Sequence, residues 1–134
     1  MILTKFYARF FGLWEVLAVL AMVANRDGTI AALNALFANP GMIFITGIFT
    51  LFLGLAVVVS HNRWSGGVVA VIVTLYGWIA IVKGLLFLWP SLPLQATLYQ
   101  AMQFPQHYYE YLGVPLVVGA YLVYAGFQPS AARE

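Results

Sequence analysis

Cysteine is absent from this 134-residue sequence. That excludes disulfides, thiolate metal sites and cysteine nucleophiles together. Charge is almost as scarce: six Lys and Arg and four Asp and Glu make up 7% of the chain, against 63% hydrophobic residues. A soluble domain carries about 25% charged residues, so this chain cannot cover a water-facing surface. A soluble globular domain, a disordered tail and a nucleic-acid binder are excluded on the same ground. The pI near 9.0 reflects a net charge of +2, not a basic patch. A mean hydropathy of +0.92 makes lipid the solvent for most side chains.

Four runs have the roughly 20 apolar residues that a spanning helix needs. They are 6–24, containing Glu15; 41–60, without charge; 68–89, interrupted by Lys83; and 108–127, containing Pro115. The runs are continuous in polarity, so helices are expected and not barrel strands. Lys5 and Arg9 before the first run resemble the start of a signal peptide, but Glu15 falls where its apolar core would be. The fold class expected is a single all-α membrane domain, 1–134, of four transmembrane helices.

Lys5, Arg9, Arg63 and Arg133 fall on one side of this arrangement, and only Arg26, beside Asp27, on the other. The positive-inside rule then puts both termini and the Ser60–Gly67 turn in the cytoplasm. Trp64 and Trp89 flank the third span, where interfacial tryptophans belong. The two outer connections predict short interfacial helices. Thr29 to Ala38 has Thr29 as an N-cap and Asn39-Pro40 as a stop. Leu94, Leu98 and Met102 recur every fourth residue in the second connection.

The halves share a plan of rising helix, outer helix and descending helix. Phe11-Gly12-Leu13-Trp14 echoes Tyr76-Gly77-Trp78, and Gly47-Ile48 begins a stretch resembling that from Gly113-Val114, with a second glycine following in each, Gly54 and Gly119. A parallel repeat about an axis normal to the membrane would produce this. Gly47 and Gly54, Gly77 and Gly84, and Gly119 and Gly126 stand seven apart, two turns along one helix face. Such faces let backbones approach. Because the second and fourth spans lack charge at their cores and carry Gly47, Gly54, Gly119 and Gly126, the second or the fourth helix is expected to carry the main partner contact, extended by the outer aromatic cluster from Tyr99 to Tyr111.

Ionisable groups inside a span require partners or mark a pathway. Glu15 is at mid-depth and Lys83 is displaced outward, so a buried Glu15–Lys83 ion pair is expected, with Glu110 the competing acid. Arg9 reads as a topology anchor. Pro115 is expected to sit inside the fourth helix and free the Tyr111 carbonyl. His61 and His107 fall on opposite sides of the membrane, which excludes a bis-histidine haem in one bundle; single-ligand pigment binding stays open. His61-Asn62-Arg63-Trp64 reads as an interfacial turn. Tyr99, Phe104, Tyr108, Tyr109 and Tyr111 form an outer aromatic belt or a rim for protein or quinone. No nucleophile–base pair, phosphate loop or metal-ligand cluster is present, so neither enzymatic activity nor a cofactor is expected, although lipid should bind.

The residues His61-Asn62-x-Trp64, Val73-Thr74-Leu75-x-Gly77-Trp78, Lys83-Gly84 and Trp89-Pro90 resemble a pattern in a group of uncharacterised small bacterial four-helix integral membrane proteins. The resemblance covers Gly47 to Pro90 and implies a bacterial inner-membrane location, without a mechanism. Two functional classes follow. One is a non-enzymatic accessory or assembly subunit within a larger membrane complex. The other is a small oligomeric channel or transporter using the Glu15/Lys83 pair.

Overall fold

The computed structural model describes residues 2–89 and 92–129. Every regular element among them is an α-helix: α1 (Ile2–Ala24), α2 (Arg26–Ala38), α3 (Pro40–Ser60), α4 (Val68–Leu88), α5 (Leu92–Ala101) and α6 (Tyr108–Phe127). Helices α1, α3, α4 and α6 are long and apolar enough to cross a membrane. The spans match the sequence expectation to within one residue, except that α1 begins at Ile2 and so takes in Thr4 and Lys5. Pro90 and Arg133 lie outside the described residues.

Local chemistry sets the breaks. Asn39 closes α2 and opens α3: its side chain accepts from Met42 N (3.2 Å), and Pro40 takes the first turn, where its missing N–H costs nothing. The cap of α2 is Asn25, not Thr29: Asn25 Oδ1 accepts from Gly28 N at 3.2 Å. Thr29 lies one turn inside, its hydroxyl on the Asn25 carbonyl. Asparagine wins because the chain leaves α1 there and three further residues extend α2 toward its start. Gly66 and Gly67 form the α3–α4 turn with φ of 101° and 109°, a region that side chains disfavour. Pro115 lies inside α6, not in its first turn.

The long helices form two pairs. α3 packs along α4 and α1 along α6, while α1 and α4 meet between the pairs. Each pair crosses at two glycines. A Cβ on Gly54 would stand 2.8 Å from the Gly77 carbonyl oxygen and 2.6 Å from Ile81 N. One on Gly12 would stand 2.9 Å from the Gly119 carbonyl oxygen and 2.7 Å from Val123 N. The neighbours are backbone and cannot yield, so only glycine permits these approaches.

The same displacement along the chain carries Gly12 to Gly77 and Gly54 to Gly119. It also carries Ala8 to Val73, Phe11 to Tyr76 and Val57 to Leu122. Ala8, Phe11, Val57, Val73 and Leu122 are the buried cluster between the pairs, with Tyr76 packed on it. The Phe11 and Tyr76 rings stack at 5.3 Å, 17° from parallel. Equivalent residues of the two halves thus meet at the centre of the bundle, as the two-part plan requires.

Both described chain ends lie at one end of the bundle. There Arg9 Nε donates to the Gly126 carbonyl (2.8 Å) and Lys5 Nζ to that of Gln128 (2.8 Å). Arg9 therefore holds the last turn of α6, a more specific duty than anchoring. At the other end α2 and α5 pack together.

Candidate functional site

The mid-depth polar site joins the two pairs. Glu15 of α1 is buried, and Tyr76 Oη of α4 lies 2.7 and 2.6 Å from its two carboxylate oxygens. Gly119 of α6 makes room for it: a Cβ there would come 3.1 Å from Glu15 Cβ. Three elements fix this carboxyl: α1 carries it, α6 leaves space, and α4 supplies the hydrogen bond. Tyr76 was not singled out from sequence. Its signal was the Phe11/Tyr76 echo, in which only one of two equivalent rings carries a hydroxyl.

The expected Glu15–Lys83 pair does not form. Lys83 is exposed on α4 and makes no ion pair among the described residues. The lipid-facing stripe of α4 holds it, and an almost uniformly apolar helix gives no periodicity from which that orientation could be read. Glu110 is engaged elsewhere, accepting from His107 Nδ1 at 2.9 Å.

From Tyr76 a file of rings descends toward the chain ends. Phe11 stacks on Tyr76 and on Tyr7, and Tyr7 meets the His61 ring edge-on at 6.0 Å. His61 begins the turn expected between α3 and α4, and its side chain is buried. Its Nε2 lies 2.8 Å from Thr4 Oγ1 and its Nδ1 3.5 Å from Thr74 Oγ1. Thr74 also takes the Arg63 amide at 2.9 Å, and Tyr7 Oη meets Ser60 Oγ at 2.6 Å. Burial, reinforced by the Arg63 charge, pushes His61 below the usual histidine range. This knot ties α1, α3 and α4 where the α3–α4 turn begins. Trp64 beyond it is exposed, as is Trp89 at the far end of α4.

Six glycines expected at helix contacts are buried: Gly47, Gly54, Gly77, Gly84, Gly119 and Gly126. All six face the partner helix of their own pair. Gly47 meets Phe87 and Leu88, Gly84 meets Leu51, and Gly126 meets Arg9 and Ala8. The expectation that Gly47, Gly54, Gly119 and Gly126 carry an external partner is therefore corrected. Glycines already covered by a neighbouring helix inside the bundle are not free for another subunit.

At the α2–α5 end, Phe37 stacks on Tyr99 (4.4 Å), and Phe104 contacts Tyr99, Tyr108 and Tyr111. Tyr108 is buried, its hydroxyl donating to the Met22 carbonyl at 2.5 Å, with the Arg26 guanidinium 5.5 Å from its ring. Tyr109 and Tyr111 are exposed. Part of the expected belt is thus core. Burial raises the Tyr99 hydroxyl above the usual tyrosine range. His61 and His107 lie at opposite ends of the bundle, and no group of three metal-ligating side chains occurs among the described residues. No family model, curated protein or solved structure matches the chain.

Proposed function

We infer that this protein is a non-enzymatic assembly subunit of a larger complex in the bacterial inner membrane. The observation that carries this reading is the filled seam between the helix pairs. Ala8, Phe11, Val57, Val73 and Leu122 close it, and the one carboxyl at mid-depth is held by Tyr76. A protein whose interior is occupied by its own side chains offers its outer faces as working surfaces. The bacterial assignment rests on the His61–Trp64, Val73–Trp78 and Lys83–Gly84 pattern. The placing of both termini in the cytoplasm rests on Lys5, Arg9 and Arg63 against Arg26.

Gentle detergent extraction followed by mass analysis tests the role. Stoichiometric foreign membrane subunits are the expected result. A chain that purifies alone and conducts ions after reconstitution would overturn it. A reporter fused after Glu134 should be active in the cytoplasm. The second reading, a small transporter, draws on a single observation: Glu15 lies at mid-depth on the boundary between two separately knit helix pairs.

A further inference from the structure

Lys83 and Glu110 lie on different helix pairs but at the same end of the bundle. Lys83 stands about five residues before the end of α4, about 7 Å along the axis. It is flanked by exposed Ile79, Val82 and Leu86, so the ammonium emerges from an apolar stripe. At the start of α6, His107 before the helix and Glu110, Tyr111, Val114 and Pro115 within it line an open groove. The groove starts at the same end and runs about 10 Å along the helix, a length that takes in the distance of Lys83 from the end of α4. Its carboxylate, on Glu110, is 78% exposed even while it accepts from His107, and a carboxylate has lone pairs for a second donor.

One copy of the chain thus carries an exposed cation in an apolar stripe and an acid-rimmed apolar groove at matching depth. Within that copy the two do not pair. We propose that Lys83 docks in the α6 groove of a second copy, with its ammonium on Glu110 and its stem along Val114 and Pro115. Both patches lie at one end of the bundle, so the two copies keep the same orientation in the membrane. Pairing removes the exposed charge from lipid, and the apolar flanks of α4 meet the apolar floor of the groove. The contact deepens the assembly reading, on which it rests for its purpose and not for its geometry.

The chain has no cysteine, so thiols can be introduced singly. Full-length V82C and V114C proteins, mixed in phosphatidylcholine vesicles and treated with a short bismaleimide, should form a V82C–V114C heterodimer. Lys83→Glu or Glu110→Lys should each cut its yield about fivefold. The two reversals together should restore it. Helical content and melting are checked for each variant, and K83Q and E110Q replace any reversal that does not fold. No heterodimer, no loss on single reversal, or no rescue by the double reversal would overturn the proposal. Loss of the heterodimer on adding phosphatidylglycerol would also overturn it and assign Lys83 to a lipid phosphate. Ion flux through the same vesicles is read separately. Flux with an intact heterodimer would sink the assembly role and keep the contact; a monomer without flux would do the reverse.

Discussion

At the α1–α6 crossing Gly12 lies against the Gly119 carbonyl, and at the α3–α4 crossing Gly54 lies against that of Gly77. The same equivalent glycines meet at both crossings, since Gly12 corresponds to Gly77 and Gly119 to Gly54, but the roles are exchanged: the rising helix brings the glycine in one pair and the carbonyl in the other. The pairs also differ in what surrounds these glycines. Glu15 stands on α1 where α4 has Ala80, and α4 has Tyr76 where α1 has Phe11. The two departures answer each other, because the extra hydroxyl bonds the extra carboxyl. Toward the α2–α5 end the contrast is steric. The α3–α4 pair uses Gly47 and Gly84, whereas the α1–α6 pair has Leu112 and Val19 at the corresponding places, packed with Phe104 and Tyr108. Backbone contacts common to both halves build the bundle, and polar chemistry enters where the halves differ.

The shared contact is the part whose loss should cost most. Gly54→Ala would drive a Cβ to 2.6 Å from Ile81 N, with only backbone and a branched side chain to give way. Thermal unfolding in detergent should show a loss of about 3 kcal/mol, at the upper end for overpacking. Gly12→Ala should cost a similar amount, because its Cβ would likewise meet backbone, 2.7 Å from Val123 N. Gly113→Ala, with nothing within 4 Å, should stay within about 0.5 kcal/mol of the parent. Unequal losses at Gly54 and Gly12 would break the comparison.

The polar departure should be coupled. Tyr76→Phe makes the two stacked rings alike but leaves the Glu15 carboxyl without its donor, at a cost of about 1–3 kcal/mol. Glu15→Ala makes α1 resemble α4 but strands the Tyr76 hydroxyl. The double variant, with the halves alike at both positions, should cost less than the sum by about 1 kcal/mol or more. Additivity in this cycle would mean that the two departures arose separately and do not support one another.

Number, length and class of the spans were legible because lipid demands long apolar runs, and nothing else in the composition imitates them. The repeat was legible at Gly12/Gly77 and Gly54/Gly119, where close backbone approach leaves no alternative residue. Which face each helix turns inward was not legible. In α4 apolar residues line every side, so the position of Lys83 carries no directional signal, and opposite charge alone suggested Glu15. The structure pairs Glu15 with a tyrosine because a neutral hydroxyl at the matching position satisfies the carboxyl without burying a second ion. The seven-residue glycine spacing does mark contact faces, but the helices that cover them belong to the same bundle. Spacing gives a face but does not say which helix covers it.

The smallest expected effect concerns the ends of the descending helices. On α6 the position corresponding to His61 is Gly126, whose carbonyl takes Arg9 Nε; on α3 the side chain of His61 itself is buried against Thr4 and Thr74. Of these two corresponding positions, only His61 carries a titratable side chain. Burial holds His61 below its usual value, and Arg63 acts in the same direction. The unfolded chain takes up this proton near about pH 6.5, while the folded chain resists it until lower pH. The stability of the neutral buried ring is thus complete above about pH 6.5 and is lost as pH falls through the folded value. Between about pH 7.5 and pH 5 the parent's melting midpoint should drop by about 2–4 °C. His61→Gln, which keeps a polar side chain and cannot titrate, should flatten that part of the profile while lowering the midpoint throughout. An unchanged slope in His61→Gln would mean that another group carries the acid sensitivity and that the two helix ends do not differ in this respect.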